Sequence, residues 1–237
     1  MRGHEREAAH TLKGVALFDG LAQSERERYE HACNWRRFKR DEQIIDRLSD
    51  THDVFFVVEG SVRIVNFSLS GREVAFGDLH AGEFFGELAA IDGKPRSASA
   101  VATSPMLLAI MPAEAFRTML AEHPPMALAI MRRLAKIVRV ATGRIMDLST
   151  LGAYDRVCAE LLRMARPSLK PDGTARIKPI PNHSDIASRV STARETVARV
   201  LADLSRQKLV TREQDALLVR NFAGLEQSVP ELGESGE

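Results

Sequence analysis

The chain has 237 residues, 44% of them apolar and 27% charged, which suits two ordinary domains with sizeable cores and excludes wholesale disorder. Its net charge of +1 is unevenly spread: residues 1–152 balance at 20 basic and 20 acidic side chains, 153–220 carry 13 basic against 8 acidic, and 221–237 carry four acidic and no basic ones. Two cysteines, Cys33 and Cys158, exclude a disulfide framework or a four-thiolate metal site.

No apolar run approaches the roughly 18 residues needed to span a bilayer. The charged start Met1-Arg2-Gly3-His4-Glu5-Arg6-Glu7 lacks the apolar stretch of a secretory signal. A soluble, cytoplasmic protein without membrane contact is expected. Residues 12–30 predict short helices, with Ser24 as a cap and Glu27 in capping-box position. From about Trp35 to Leu108 the pattern turns to strands. Val54-Phe55-Phe56-Val57-Val58 is a buried run, and Val62, Ile64 and Phe67 fall near the alternating period. Turn glycines between 60 and 93 suggest a small antiparallel barrel or sandwich.

Pro112 to about Thr150 reads as helical, with Pro112 at a first helical position and Pro124-Pro125 restarting the pattern. Ala127, Met131, Leu134, Val138, Ala141, Ile145 and Leu148 are then spaced alternately by four and three, a heptad seam that predicts pairing with a second copy. Residues 150–153 form a hinge. Beyond it come a helix over Tyr154 to Arg166, a turn at Pro171-Asp172-Gly173, and two short amphipathic helices around Ile186 and Val197. A hairpin of Leu209-Val210-Thr211 and Ala216-Leu217-Leu218-Val219 closes the outline of a winged helix-turn-helix. After Gly224 the chain is polar and acidic, which predicts a mobile tail.

The segment Gly82-Glu83-Phe84-Phe85-Gly86-Glu87-Leu88-Ala89-Ala90, followed by Arg96-Ser97-Ala98-Ser99, carries the first chemistry. A glycine before a short helix lets backbone N–H groups approach an anion, and the helix dipole helps. Arg96 offers a planar fork for a phosphate and Ser97 a further hydrogen bond. Glu87 would repel phosphate and so suits a sugar hydroxyl. The plainer reading is a glycine turn with a surface Arg96–Glu87 ion pair. The second motif is Thr192-Ala193-Arg194-Glu195-Thr196-Val197-Ala198-Arg199. Thr192 and Glu195 fit a capping box at a helix start. Arg194, Glu195 and Arg199 lie on the face away from Val197, Val200 and Leu201. Arginine pairs with guanine and glutamate accepts from cytosine N4. An ordinary charged helix with a Glu195–Arg199 pair is the plainer alternative.

Together, the run 82–99 and the order barrel, cassette, long helix, helix-turn-helix resemble the cyclic AMP receptor protein family of bacterial transcription regulators, over roughly residues 12–222. The resemblance implies an α+β fold: an N-terminal cyclic-nucleotide-binding β-roll or jelly-roll barrel (12–123), a long dimerisation helix and hinge (124–150), a C-terminal winged helix-turn-helix (151–222) and an acidic mobile tail (223–237). It implies that Glu87 binds the ribose 2′-hydroxyl, that Gly86 and Leu88 give backbone contacts, and that Arg96 and Ser97, beside Ala98, hold the cyclic phosphate. The base is addressed from the long helix, where Val138, Ala141 and Thr142 stand. The family's Thr-Ser pair is replaced here by Ala141-Thr142, so cyclic AMP is expected and cyclic GMP stays open. Arg194, Glu195 and Arg199 would read a palindromic TGTGA-like operator in double-stranded DNA, with His183, Ser184 and Thr196 on phosphates. A homodimer, RNA polymerase contact (with 168–178 as an analogous loop) and no metal follow from the same resemblance.

Other classes fit less well. An iron–sulfur sensor needs several thiolates, whereas Cys33 and Cys158 fall in different domains. A haem-bound gas sensor would take a histidine such as His80, or Cys33, as its ligand. No nucleophile elbow, P-loop or HExxH is present, so no enzyme is expected.

Overall fold

A computed structural model describes residues 10–68 and 73–229, and the chain divides into two compact units, Met1–Ala135 and Lys136–Glu237. The first opens with a 3₁₀ turn (Ala16–Phe18) and helix α1 (Gln23–His31). Ser24 is not the cap. The helix starts two residues earlier, with Ala22 at the N-cap, and Glu25 accepts the Ala22 N–H at 3.3 Å. A glutamate at the third helical position has satisfied the backbone without a capping hydroxyl.

Eight strands follow: β1 (Asn34–Phe38), β2 (Gln43–Ile45), β3 (Val54–Glu59), β4 (Ser61–Phe67), β5 (Glu73–His80), β6 (Phe84–Phe85), then helix α2 (Glu87–Asp92), β7 (Ser99–Ala102) and β8 (Met106–Met111). They form two antiparallel four-stranded sheets, ordered β1-β8-β3-β6 and β2-β7-β4-β5. Phe55 and Val57 of β3 enter the core shared by the two sheets, with Val62, Phe85, Ala100 and Leu108. Val54 and Phe56 face a second core, with Phe18, Phe116 and Ile130. Burial on both faces is why β3 reads as an unbroken apolar run. In β4 the expected alternation fails at one point. Val65 is buried, while Phe67, the last residue of the strand, is exposed; the register shift opposite Ile64 and Val65 leaves its extra residue, Phe76, on β5.

Helix α3 (Ala113–Glu122) has Pro112 as its N-cap rather than its first helical residue. Helix α4 (Pro124–Thr150) begins in the first unit, where Met126 and Ile130 are buried, and continues into the second. Along the heptad seam Met131, Val138, Ile145 and Leu148 are exposed, Val138 and Ile145 at 63% each.

The second unit holds α5 (Ala153–Ala165), β9 (Ala175–Ile177), α6 (His183–Arg189), α7 (Arg194–Arg206), β10 (Val210–Arg212), β11 (Leu217–Val219) and α8 (Phe222–Gln227). The wing has three strands, β10-β11-β9. Ala175 and Ile177 supply a strand within a segment read above as a loop, because both side chains are buried in this unit's core. The expected tail is also corrected at its start. Leu225 and Val229 are buried, and Asn221 caps α8 by accepting the Gly224 N–H at 2.8 Å. An apolar side chain every third or fourth residue suffices to dock this turn of helix; the part of the tail beyond 229 lies outside the described residues. No helix among the described residues is long and apolar enough to cross a membrane.

Candidate functional site

Strand β6 ends at Gly86, whose φ of 86° places it in the left-handed region and makes it the N-cap of α2. A Cβ there would lie 2.8 Å from Arg96 Nη1 and 2.9 Å from the Asp53 carbonyl oxygen, so only glycine lets the arginine approach. Arg96 returns to this turn and is 2% exposed. Its Nε donates to Thr51 Oγ1 at 2.9 Å, Nη1 to the Gly86 carbonyl at 2.9 Å and Nη2 to the Asp53 carbonyl at 2.8 Å. Its Cζ lies 5.4 Å from the Phe55 ring centroid, and that ring stacks on Phe85 at 5.0 Å. The plainer alternative, an Arg96–Glu87 surface pair, does not form among the described residues. Among the described residues Arg96 has no carboxylate within 4 Å, so a buried guanidinium is held by neutral oxygens alone.

Glu87, the first residue of α2, is 5% exposed. Burial raises its pKa above the ordinary glutamate value; the charges of Arg133 and Arg96 oppose that shift. Burial in turn lowers the Arg96 pKa, against the carboxylates of Asp53 and Glu87. Leu88 is exposed. Ser97 is exposed, its carbonyl accepting from Asn66 Nδ2 at 3.3 Å, and Ala98 is half-buried. Gly86, Glu87, Leu88, Arg96, Ser97 and Ala98 thus share one locality in the first unit. Val138, Ala141 and Thr142 belong to the second unit and are exposed.

Sequence reasoning missed Thr51, Asp53 and Phe55, which shape the arginine's seat, and Arg133. No local motif marks the first three, because they converge on Arg96 from more than 40 positions away. Arg133 Nη2 donates to the Phe84 carbonyl at 2.6 Å, and its Cζ sits 4.2 Å from the Phe84 ring centroid. It lies one position before Leu134 of the heptad seam, where the apolar pattern draws attention away from it.

In the second unit α6 and α7 form the helix-turn-helix. Thr192 does not cap α7; Ala193 stands at the N-cap, and the Thr192 N–H bonds the Ala187 carbonyl at 3.0 Å in the turn. Arg194, Glu195 and Arg199 are exposed in the first turns of α7, while Val197, Val200 and Leu204 are buried. Arg199 Nη2 reaches Thr196 Oγ1 at 3.4 Å, so Arg199 leans on Thr196 rather than on Glu195. His183 opens α6 half-buried, and Ser184 is exposed, its N–H bonded to Asn182 Oδ1 at 3.1 Å. Asn182 caps α6, a position for which asparagine is a preferred residue. In the wing Arg176 pairs with Glu213 and Lys178 with Asp215.

Cys33 and Cys158 are both buried, and burial pushes each thiol up to about 12. Among the described residues no three metal-ligating side chains cluster. His80 is exposed at the end of β5.

Comparison with known proteins adds identity to this geometry. The family described as "Cyclic nucleotide-binding domain" matches residues 35–123, and the "Crp-like helix-turn-helix domain" matches 155–228. The "Cyclic AMP receptor protein" of Thermus thermophilus is 31% identical over 216 residues, which are 91% of this chain and 97% of that protein. The solved catabolite activator protein of Thermus thermophilus aligns at 30% identity and a TM-score of 0.52, covering 91% of this chain and 99% of its own. A CooA mutant from Carboxydothermus hydrogenoformans aligns with a TM-score of 0.74 at 21% identity, over 84% of this chain and 88% of that one, a likeness of fold.

Proposed function

The chain belongs to the cyclic AMP receptor protein family of transcription regulators, and from that premise we propose that it is a homodimer that reads a palindromic TGTGA-like operator when its cassette holds a cyclic nucleotide. Cyclic AMP is the first choice; the exposed Ser97 hydroxyl leaves cyclic GMP as the competitor. The observation that carries the ligand reading is the state of Arg96. A buried cation without an ion pair is costly, and that cost is offset when an anion arrives at its seat. The left-handed Gly86 turn brings backbone N–H groups to the same place.

Two further features support the rest. Exposed Met131, Val138, Ile145 and Leu148 on one heptad seam form an apolar stripe of the kind that a second copy covers. Arg194, Glu195 and Arg199, exposed at the start of α7, present the groups that read base edges in a major groove, with His183, Ser184 and Thr196 on phosphates. Val138, Ala141 and Thr142 would meet the base from the long helix, and RNA polymerase would be the downstream partner. Binding regulates only if the nucleotide favours the DNA-competent state over the other.

The test is a parallel titration with cyclic AMP and cyclic GMP by calorimetry, followed by operator binding with and without each. The reading expects tight binding of one nucleotide and operator affinity that rises with it. Operator affinity indifferent to both nucleotides would overturn it.

A further inference from the structure

Strand β4 carries a polar side chain, Asn66, that the reading above does not use. Val62 and Ile64 pack into the core shared by the two sheets, and the two-residue period of a strand puts Asn66 on the same face. The register shift has its extra residue on β5, so β4 itself carries no insertion between them. That core includes Phe55 and Phe85, and Arg96 lies over the Phe55 ring. Across the ladder Val65 faces Ser99 of β7, which brings Asn66 to the end of the cassette. There Asn66 Nδ2 donates to the Ser97 carbonyl at 3.3 Å. A carbonyl only accepts, so this bond fixes the amide: nitrogen towards Ser97, oxygen turned away from it. Oδ1 is buried, and among the described residues no donor reaches it. Orphaned buried acceptors are uncommon and call for an explanation. The residue as a whole is half-buried, so the amide stands at the edge of the cassette and not deep in the core.

Resting on the reading of the cassette as a cyclic-nucleotide site, we infer that Asn66 is a specificity residue for the base: its Oδ1 accepts a hydrogen bond from the 2-amino group of a guanine. The acceptor narrows its partner by chemistry. At neutral pH the cyclic phosphate has no donor, and the ribose 2′-hydroxyl is matched to Glu87 in that reading. What remains on the ligand is an N–H of the base. Adenine carries its amino group at C6, on the edge remote from the sugar. Guanine carries one at C2, beside the ring edge that turns over sugar and phosphate when the base is syn. Asn66 is bonded to Ser97, at the phosphate end, so it meets the C2 substituent and not the C6 one. In cyclic AMP C2 bears only a hydrogen, and Oδ1 stays unpaired. A site with a buried polar group discriminates against an analogue that leaves the group without a partner. Asn66 therefore gives the guanine nucleotide a contact that cyclic AMP cannot make, independently of the Ser97 hydroxyl.

The experiment is calorimetry on the full chain with two ligand pairs that differ by the 2-amino group alone: cyclic GMP against cyclic IMP, and 2-amino cyclic AMP against cyclic AMP. In the wild type the 2-amino member of each pair should bind about tenfold more tightly, the range of one hydrogen bond to an otherwise unpaired buried group. In Asn66→Leu, close in volume and without the acceptor, both ratios should fall towards one, with the loss falling on the 2-amino ligands. Ser97→Ala should weaken every ligand and leave both ratios in place, because the carbonyl that holds Asn66 remains. Ratios near one in the wild type overturn the inference without any variant, since Oδ1 then meets water and not the base. Wild-type ratios that persist in Asn66→Leu overturn it as well, and their loss in Ser97→Ala would transfer the role to the Ser97 hydroxyl. A wild type that binds none of the four ligands overturns the cassette reading itself, a separate result.

Discussion

Each unit buries one glutamate among arginines, and the two sites are built in opposite ways. Glu160 of α5 is 2% exposed and saturated: Arg163 donates to it at 2.8 Å, Arg189 of α6 at 3.3 Å, and Arg144 of α4 stands at 3.7 Å. Asp147 pairs with Arg163 as well. Arg156 completes the joint by donating to the Leu151 and Val190 carbonyls at 2.8 and 2.9 Å. Glu87 is nearly as buried, yet among the described residues it has no ion pair within 4 Å, and its neighbour Arg96 bonds only neutral oxygens. A saturated buried charge is a clamp, binding α4, α5 and α6 of the second unit together. An unsaturated one carries a standing cost that a ligand can remove.

Breaking the clamp should therefore cost stability, and breaking the cassette should cost binding. Glu160→Ala strands three arginines and should destabilise the second unit by about 3–5 kcal/mol in chemical denaturation. A loss under about 1 kcal/mol would show that the arginines find water and that Glu160 clamps nothing. Arg96→Ala should weaken nucleotide binding by about 3 kcal/mol or more, since a phosphate loses charge-assisted hydrogen bonds. Unchanged affinity in calorimetry would move the phosphate elsewhere. Arg194→Ala tests an arginine of a third kind, exposed and outside both clusters. It should lose about 1–3 kcal/mol of operator affinity and relax one base position. A uniform loss over all DNA sequences would reassign it to phosphate.

The contrast also explains what could be read in advance. The Gly86 turn and Arg96 were legible because strand, glycine and short helix are a local pattern, with the arginine ten residues on. The two helices of the helix-turn-helix were legible from their apolar spacing. What failed depended on distant partners. Arg133 meets Phe84 across 49 positions, and Glu160 meets Arg189 across 29. Such charged residues look like solvated surface until the fold encloses them. Phe67 was misjudged because it ends its strand, where burial gives way to exposure, and Ala175 to Ile177 because a three-residue strand leaves no periodic trace.

The smallest effect is the most discriminating, because it has the opposite sign. Burial raises the Glu87 pKa, so the folded first unit holds that proton more firmly than the unfolded chain does. Stability is then lost as pH rises from the ordinary value of 4.5 through the raised folded value, and above that window the penalty is constant. Glu87→Gln removes the penalty. It should stabilise the first unit at pH 7 by about 0.5–2 kcal/mol, as substitutions that relieve a functional site do, while sugar recognition is lost. The gain should fade once pH drops below 4.5, where Glu87 is protonated in both states. Glu160→Gln should show no such gain, since its carboxylate is matched by three arginines. Thermal melts of both variants at pH 4 and pH 7 decide the matter. A Glu87→Gln protein less stable than wild type at pH 7 would mean that Glu87 is a clamp like Glu160, and the contrast between the two sites would fall.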